Sequence, residues 1–455
     1  MDKYALPEGL LIGYYGDDFT GSTDVMEALT RNGLRTVLFL APPTPEQLAQ
    51  YEGIRAVGIA GISRSLPTKE MDAELRPAFT ALRDLGVPIV HYKICSTFDS
   101  SPQIGSIGRA IEIGQSVCDS PFVPMVVGAP YLNRFVVFGN LFARSGSESA
   151  VYRLDRHPSM SRHPVTPMHE SDLRLILAEQ TDQLITLCDV TKFSEKDFAL
   201  SIQQPGEIIL FDTLTRSDLY NIGELIWSEV KKGSTLFSAS SSGLEYAIGV
   251  YWREQNLLYP FPQFPQEAVN QIVGVSGSCS PVAARQLEYA RANGFAVMDL
   301  VPDPNALEPL GDTITLNAIV KNAVESLQVS DCRGVLLNTC AGPDDPRLTA
   351  HADNPRLQTS EYKRSIGKAL GQILRGLLEA TDIRRVVVAG GDTSGYVAKA
   401  LGIVALEMVC PMAPGSPLCQ ASAPNTVYDG VEIVFKGGQV GRQEFYTDVV
   451  SGGIP

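Results

Sequence analysis

Two adjacent carboxylates, Asp17 and Asp18, close the short apolar run IGYY and precede a Thr20-Gly21-Ser22 turn in the stretch IGYYGDDFTGSTD, residues 12–24. That arrangement sets acid–base chemistry at the carboxyl end of a strand. In open α/β sheets ligands bind at such edges, so one carboxylate is placed to face a polyol and take a hydroxyl proton. A plainer reading makes one Asp the cap of a helix over Ser22 to Arg31 and leaves the other solvated. The residues alone leave both readings open.

Further polar residues follow apolar runs in the same half: Ser63-Arg64 in GISRSLP, and Lys93, Ser96, Thr97 and Asp99 in HYKICSTFDSSPQIGSIG. In a parallel sheet Asp17, Asp18, Arg64 and Lys93 converge on one edge. A guanidinium there takes a carboxylate and an acid takes a hydroxyl, which suits an anionic, hydroxyl-rich ligand such as a sugar acid. The alternatives are a surface ion pair for Arg64 and packing of Lys93 beside Asp99. The Pro-broken stretch with Arg153, Asp155, Arg156, His157, Arg162, His163 and His169 precedes a helix expected near Ser171. Leu173 stands four places after His169, so no HExxH zinc motif forms, and loop packing or substrate contact is the reading.

The second half carries a different signal. In RRVVVAGGDTSGYVAKAL a buried-type strand runs into Gly390, Gly391, Asp392, Thr393 and a helix, and backbone N–H groups there are placed to cradle a phosphate. VGVSGSCSP repeats the design with Ser276, Gly277 and Ser278, and FKGGQVG adds Lys436, Gly437 and Gly438. Each alone is also an ordinary capped turn; together they favour phosphate. Neither a Walker A pattern nor GxGxxG is present, nor a GxSxG elbow.

These residues need scaffolds. Apolar runs of five to eight residues alternate with helix-period segments in both halves (LLIGYYGDD, RTVLFLAPP, IRAVGIAG, VPIVHYKICST; later AVNQIVGVSGS, GVLLNTCAGP, RRVVVAGG), which predicts α/β architecture with mostly parallel, helix-covered sheets. At 455 residues two domains are expected. The Pro-rich YPFPQFP marks the boundary, giving an N-terminal domain over 1–258, a connector over 259–267 and a C-terminal domain over 268–455. The connector, with a second chain crossing near Ser238 to Gly243, is the expected hinge.

Composition narrows the function classes. A net charge of −14 argues against a nucleic-acid partner, and no apolar stretch is long enough for a membrane span. Eight scattered cysteines without CxxC pairing, and no secretory leader pattern, indicate a cytoplasmic protein. A homodimer is compatible with the sequence.

Taken together the motifs resemble the four-carbon acid sugar kinase family. GDDFTGSTD is similar to its A-D-D-L-T-G-A-x-D, Ser63-Arg64 to its Thr/Ser-Arg pair, and the segment from Lys93 to its K-x-D-S-T-L-R-G block. VSGSCSPVAARQ, AGGDTSG, the PGSP of Pro414 to Pro417 and FKGGQVG resemble its nucleotide-binding motifs. The resemblance implies an N-terminal sugar-acid domain and a C-terminal ATP domain, with transfer across the cleft between them. It assigns ATP contacts to Ser276, Gly277, Ser278, Gly390, Gly391, Asp392, Thr393, Gly415, Gly437 and Gly438, and substrate contacts to Ser63, Arg64, Lys93, Ser96 and Thr97. One departure stands out: Cys95-Ser96-Thr97-Phe98-Asp99-Ser100-Ser101 replaces D-S-T-L-R-G-N, losing an Asp and an Arg. The basic loop at 153–163 is a candidate for the missing cation. Threonate, erythronate, 3-oxo-tetronate and a branched or oxidised acid such as an oxo-isoapionate are all admissible substrates.

The implied reaction is ATP-dependent phosphorylation of a hydroxyl, with Asp18 or Asp17 taking its proton, Mg²⁺ bridging the phosphates, and Lys93 or a glycine-loop N–H assisting. Two rivals are a metal-dependent phosphatase or hydrolase, with the metal on Asp17 and Asp18, and a non-catalytic sugar-acid sensor.

Overall fold

The computed structural model describes residues 6–144, 150–163, 165–194, 202–233, 235–258, 263–264, 267–351 and 353–453. Most of the connector at 259–267 therefore lies outside the described residues. The chain divides into two units, Met1–Pro262 and Gln263–Pro455, each continuous in sequence. The second crossing expected near Ser238 to Gly243 does not occur. Ser238 and Ser240 sit in a buried strand of the first unit, with the Ser238 hydroxyl donating to the Pro124 carbonyl at 2.9 Å.

Strands of the first unit are, in chain order, β1 (Ile12–Gly16), β2 (Thr36–Phe39), β3 (Ala56–Ala60), β4 (Ile89–Lys93), β5 (Phe122–Met125), β6 (Arg134–Val137), β7 (Asn140–Arg144), β8 (Val151–Arg153), β9 (Ile185–Cys188), β10 (Glu207–Phe211) and β11 (Leu236–Ser240). The main sheet is parallel in the order β11-β4-β1-β3-β2. Its strands are buried almost throughout, which is why they read as continuous apolar runs rather than alternating ones. A smaller parallel sheet, β5-β10-β9, and an antiparallel one, β6-β7-β8, complete the unit.

Register decides what reaches the edge. Gly16 is level with Ala60 on one side and Lys93 on the other, so all three strands end together. The Asp17 amide then donates to the Lys93 carbonyl at 3.0 Å, and the Arg64 amide to the Asp17 carbonyl at 3.0 Å. The following helix spans Phe19–Arg31, three residues longer at its start than the expected Ser22. Asp18 explains the difference: its backbone is extended and its Oδ1 accepts the Gly21 amide at 2.7 Å, satisfying a donor that the first turn cannot.

Aromatic residues fix this edge from beneath. Tyr14 lies directly opposite Gly58 on β3, and its hydroxyl reaches the Ser22 carbonyl at 3.1 Å. A Cβ at Gly58 would run into the Tyr14 ring. Tyr15 stacks on Tyr92 at 6.2 Å and donates to Glu74 at 2.8 Å.

In the second unit the strands are β12 (Ile272–Ser276), β13 (Phe295–Asp299), β14 (Gly334–Asn338), β15 (Arg385–Ala389), β16 (Ala405–Ala413), β17 (Ser416–Ser422) and β18 (Glu432–Lys436). Their order is β16-β17-β18-β15-β12-β14-β13; β18, β15, β12, β14 and β13 run parallel, and β16 and β17 join antiparallel. The long helix expected from Arg364 begins at Ser360, because Thr359 caps it through the Tyr362 amide. Among the described residues no helix is long and apolar enough to cross a membrane.

Since Gly58 makes room for the ring that ties β1 to the Asp18 helix, Gly58→Ala should destabilise the first unit by about 1–3 kcal/mol. Equilibrium urea unfolding measures it, and an unchanged midpoint would contradict the packing.

Candidate functional site

On the first unit, Arg64 sits between both acids. Its Nε and Nη2 reach the two Asp17 oxygens at 3.1 and 2.5 Å, and Nη1 lies 2.8 Å from Asp18 Oδ2. Asp18 Oδ2 also accepts from the Thr20 hydroxyl at 2.8 Å. The two carboxylates differ in access: the Asp17 side chain is 3% exposed and that of Asp18 25%. Burial raises the Asp17 carboxyl against the pull of Arg64. Burial pushes Asp18 the same way, but Arg64, Thr20, Lys93 and the Gly21 amide outweigh it and hold that carboxyl below its ordinary range.

Neither simple reading of the dyad is complete, since Asp18 caps the helix and still faces outward, while Asp17 is buried rather than solvated. Lys93 pairs with Asp24 at 3.4 Å and donates to the Ile94 carbonyl at 3.0 Å, so packing beside Asp99 is ruled out. Burial works against its charge, yet Asp24 and Asp17 keep the ammonium protonated. Asp24 is the last residue of the GDDFTGSTD motif, and its place in the helix Phe19–Arg31 sets it against Lys93.

Gly21 marks where these groups meet. A Cβ there would stand 2.5 Å from Asp18 Oδ1, 3.3 Å from Lys93 Nζ and 3.5 Å from Arg64 Nη2. One acid and two cations thus bound a single small space that only glycine leaves open.

Other expected contacts are placed differently. The Ser63 hydroxyl faces the core, 3.0 Å from the Tyr92 hydroxyl, and so positions Arg64 rather than presenting its own oxygen. Thr97 is nearly buried with its hydroxyl 3.0 Å from the Cys95 thiol; Ser96 is partly exposed in the same turn. That turn includes Phe98 with φ 58°, a left-handed conformation costly for a bulky residue and typical of sites the surrounding structure must hold. In the basic loop, Arg153 and Arg156 are both taken up by Asp155, at 2.6 and 3.3 Å. His163 lies 2.9 Å from the Thr166 hydroxyl, which donates to Asp99, so this loop docks on the turn after β4.

On the second unit, the loops after β12, β15 and β18 meet because those strands are neighbours ending level: Ser276 opposite Ala389, and Ala389 opposite Lys436. The Ser280 hydroxyl donates to the Gly438 carbonyl, and a Cβ at Gly438 would stand 2.6 Å from Ser278 Oγ. Gly277 is packed against the Thr393 hydroxyl. Gly390 has φ 123°, and a Cβ there would meet Thr393 Oγ1 at 3.1 Å and the Ser278 nitrogen at 3.5 Å. Gly391, by contrast, has nothing within 4 Å of that position and opens the helix Gly391–Ala400. Gly437 lies in the turn after β18. Gly415 forms the β16–β17 turn, and the pairing of Leu418 with Val434 carries that turn to the Lys436 end. The Asp392 side chain is not among those described.

Lys436 is the charge at this edge. Its side chain is fully buried, its Nζ donates to the Gly437 carbonyl at 3.0 Å, and burial pushes its pKa down to about 7. Sequence reading met it only as the flank of a glycine pair.

One α/β unit thus carries an edge of paired acids and cations, and the other an edge of glycine and serine turns around a buried lysine. A family model described as a sugar-binding N-terminal domain matches residues 12–248, and one described as a nucleotide-binding C-terminal domain matches residues 273–446. The chain belongs to the four-carbon acid sugar kinase family. It is 46% identical to a 3-oxo-isoapionate kinase of Paraburkholderia graminis, over 98% of this chain and 96% of that one. It is 28% identical to a 3-oxo-tetronate kinase of Pseudomonas savastanoi, over 96% of each. The crystal structure of a Salmonella typhimurium LT2 protein shares the fold at 24% identity, with a TM-score of 0.76 over 96% of this chain and 98% of that one.

Gly21→Ala should lower stability, although alanine within a helix ordinarily gains up to about 1 kcal/mol over glycine. A raised melting temperature would show that the space over Gly21 is not closed by Asp18, Lys93 and Arg64. For Lys436, a phosphate bound at this edge favours the charged ammonium, so binding takes up a proton above pH about 7 and weakens as pH rises through that value. Calorimetry of ATP binding at pH 8.5 in buffers of different ionisation enthalpy should show proton uptake that Lys436→Met abolishes. Equal heats in all buffers would remove Lys436 from the site.

Proposed function

We propose that this protein transfers the γ-phosphoryl group of ATP to a hydroxyl of a short oxidised sugar acid, with a branched acid of the 3-oxo-isoapionate type as the preferred acceptor. The observation that carries the reading is the space over Gly21, where an outward-facing ionised carboxylate and two cations are held together. The 46% identity to a 3-oxo-isoapionate kinase favours the branched acid over the linear acids of the more distant relatives.

Asp18 then orients the acceptor hydroxyl and takes its proton, because it is the accessible member of the pair; Asp17, bound through both oxygens to Arg64, holds that guanidinium in place. Arg64 and Lys93 offset the negative charge that gathers on the acceptor side. On the second unit, the open position at Gly391, the Ser276 to Ser280 loop and Lys436 fit the phosphates of a nucleotide, which supplies the transferred group. Mg²⁺ would accompany ATP chiefly through the phosphates and water, with few protein ligands. A metal-dependent phosphatase built on Asp17 and Asp18 is disfavoured, because Arg64 already engages oxygens of both carboxylates. Among the described residues the cysteines are free thiols, which suits a reducing, cytoplasmic setting.

The test is ADP release from Mg-ATP against a panel of four- and five-carbon sugar acids, with product mass read in parallel. One acid should stimulate release and gain a phosphoryl group; absence of any stimulation, with no ATP binding by calorimetry, would overturn the reading. Asp18→Asn should lower kcat by about 10²–10⁴-fold. Asp17→Asn should act mainly on KM, through a loosened Arg64. Full turnover in both variants would remove the dyad from the reaction.

A further inference from the structure

Asp18 is placed for the acceptor hydroxyl, but Arg64 has little left to offer the acid group, since both Asp17 and Asp18 hold its guanidinium. A second guanidinium stands on the same side of the unit. The Ile94 amide donates to the Ser240 carbonyl at 2.8 Å and the Ser241 amide to the Val126 carbonyl at 3.0 Å, so the chains leaving β4, β11 and β5 run side by side. Three residues past Val126, Ala129 pairs with Arg134 in both directions, at 2.9 and 3.2 Å, and this sets Arg134 at the start of β6. Cys95, two residues beyond Lys93, lies within electrostatic reach of both Arg64 and Arg134.

Arg134 differs from four other arginines of this unit, and from the exposed Arg144 and Arg162 in its burial. Arg64, Arg153, Arg156 and Arg174 all pair with carboxylates. Among the described residues Arg134 pairs with none: its Nη1 is shared among the carbonyls of Leu132, Asn133 and Arg144 at 3.1, 3.1 and 3.3 Å, and its Nε is buried without a partner. Burial works against its charge, and only the Cys95 thiol acts the other way. A guanidinium held in a fixed position by neutral carbonyls, without an anion of its own, is costly unless a ligand supplies one.

We infer that Arg134 receives the carboxylate of the acceptor, so that the acid is held at one end by Arg134 and at its reacting hydroxyl by Asp18. The inference rests on the proposed sugar-acid kinase activity and adds the residue that selects for an acid. Arginine suits the task because two parallel N–H donors match a carboxylate, a geometry that lysine cannot reproduce.

The experiment compares the acid that the wild-type protein phosphorylates with its neutral amide, in the wild type, Arg134→Lys and Arg134→Gln, with melting temperature as the check on folding. Wild type should prefer the acid by about 10–100-fold in kcat/KM, the range set by a charge-assisted hydrogen bond. Arg134→Gln should raise KM for the acid by a similar factor, leave the amide little changed, and so erase the preference; Arg134→Lys should recover part of it. Wild type using acid and amide equally well would overturn the inference even if the variants fail to fold. So would an Arg134→Gln protein that keeps the preference, while the kinase reading would stand in both cases.

Discussion

The charged edge of the first unit depends on one guanidinium lodged between two carboxylates. Asp17, Arg64 and Asp18 are close enough to stabilise one another, and removing the guanidinium would leave the buried Asp17 carboxylate unpaired at a depth where that costs several kcal/mol. The cluster in turn depends on strand register. Were β3 or β4 shifted by one residue against β1, Ala60 and Lys93 would no longer end level with Gly16, and Arg64, just past Ala60, would no longer meet Asp17. The Tyr14 ring over Gly58 and the Tyr15–Tyr92 stack hold that register from the buried faces.

A similar logic governs the second unit with different chemistry. There the strands end level at Ser276, Ala389 and Lys436, and the loops touch through Ser278, Ser280, Thr393 and three glycines whose missing side chains allow the approach. Lys436 brings a charge there that burial holds near its switching point. A carboxylate-rich edge would repel phosphates, and a glycine-lined edge would not orient a hydroxyl, so each unit is suited to one half of a phosphoryl transfer.

Much of this was legible in the sequence because parallel, helix-covered strands leave long apolar runs, and the residues at their ends mark the ligand edge. Asp17, Asp18, Arg64 and Lys93 were readable together for that reason, as were the Gly390 and Ser276 turns. What sequence could not show was partner choice. Lys93 pairs with Asp24 rather than lying beside Asp99 because the helix begins at Phe19, and Ser63 turns to Tyr92 because its strand-end geometry points it inward. Arg134 escaped notice because it follows no Gly-rich turn, and its significance lies in its having no carboxylate partner among the described residues, which only a folded chain reveals.

The central claim is that the acid and the nucleotide are bound by different units through different charges. Calorimetry on the full chain, titrating the acid and ATP separately into wild type, Arg64→Ala and Lys436→Met, tests it directly. The account predicts that Arg64→Ala loses the acid and keeps ATP, and that Lys436→Met does the reverse. Loss of ATP binding in a correctly folded Arg64→Ala protein, or of acid binding in Lys436→Met, would contradict it.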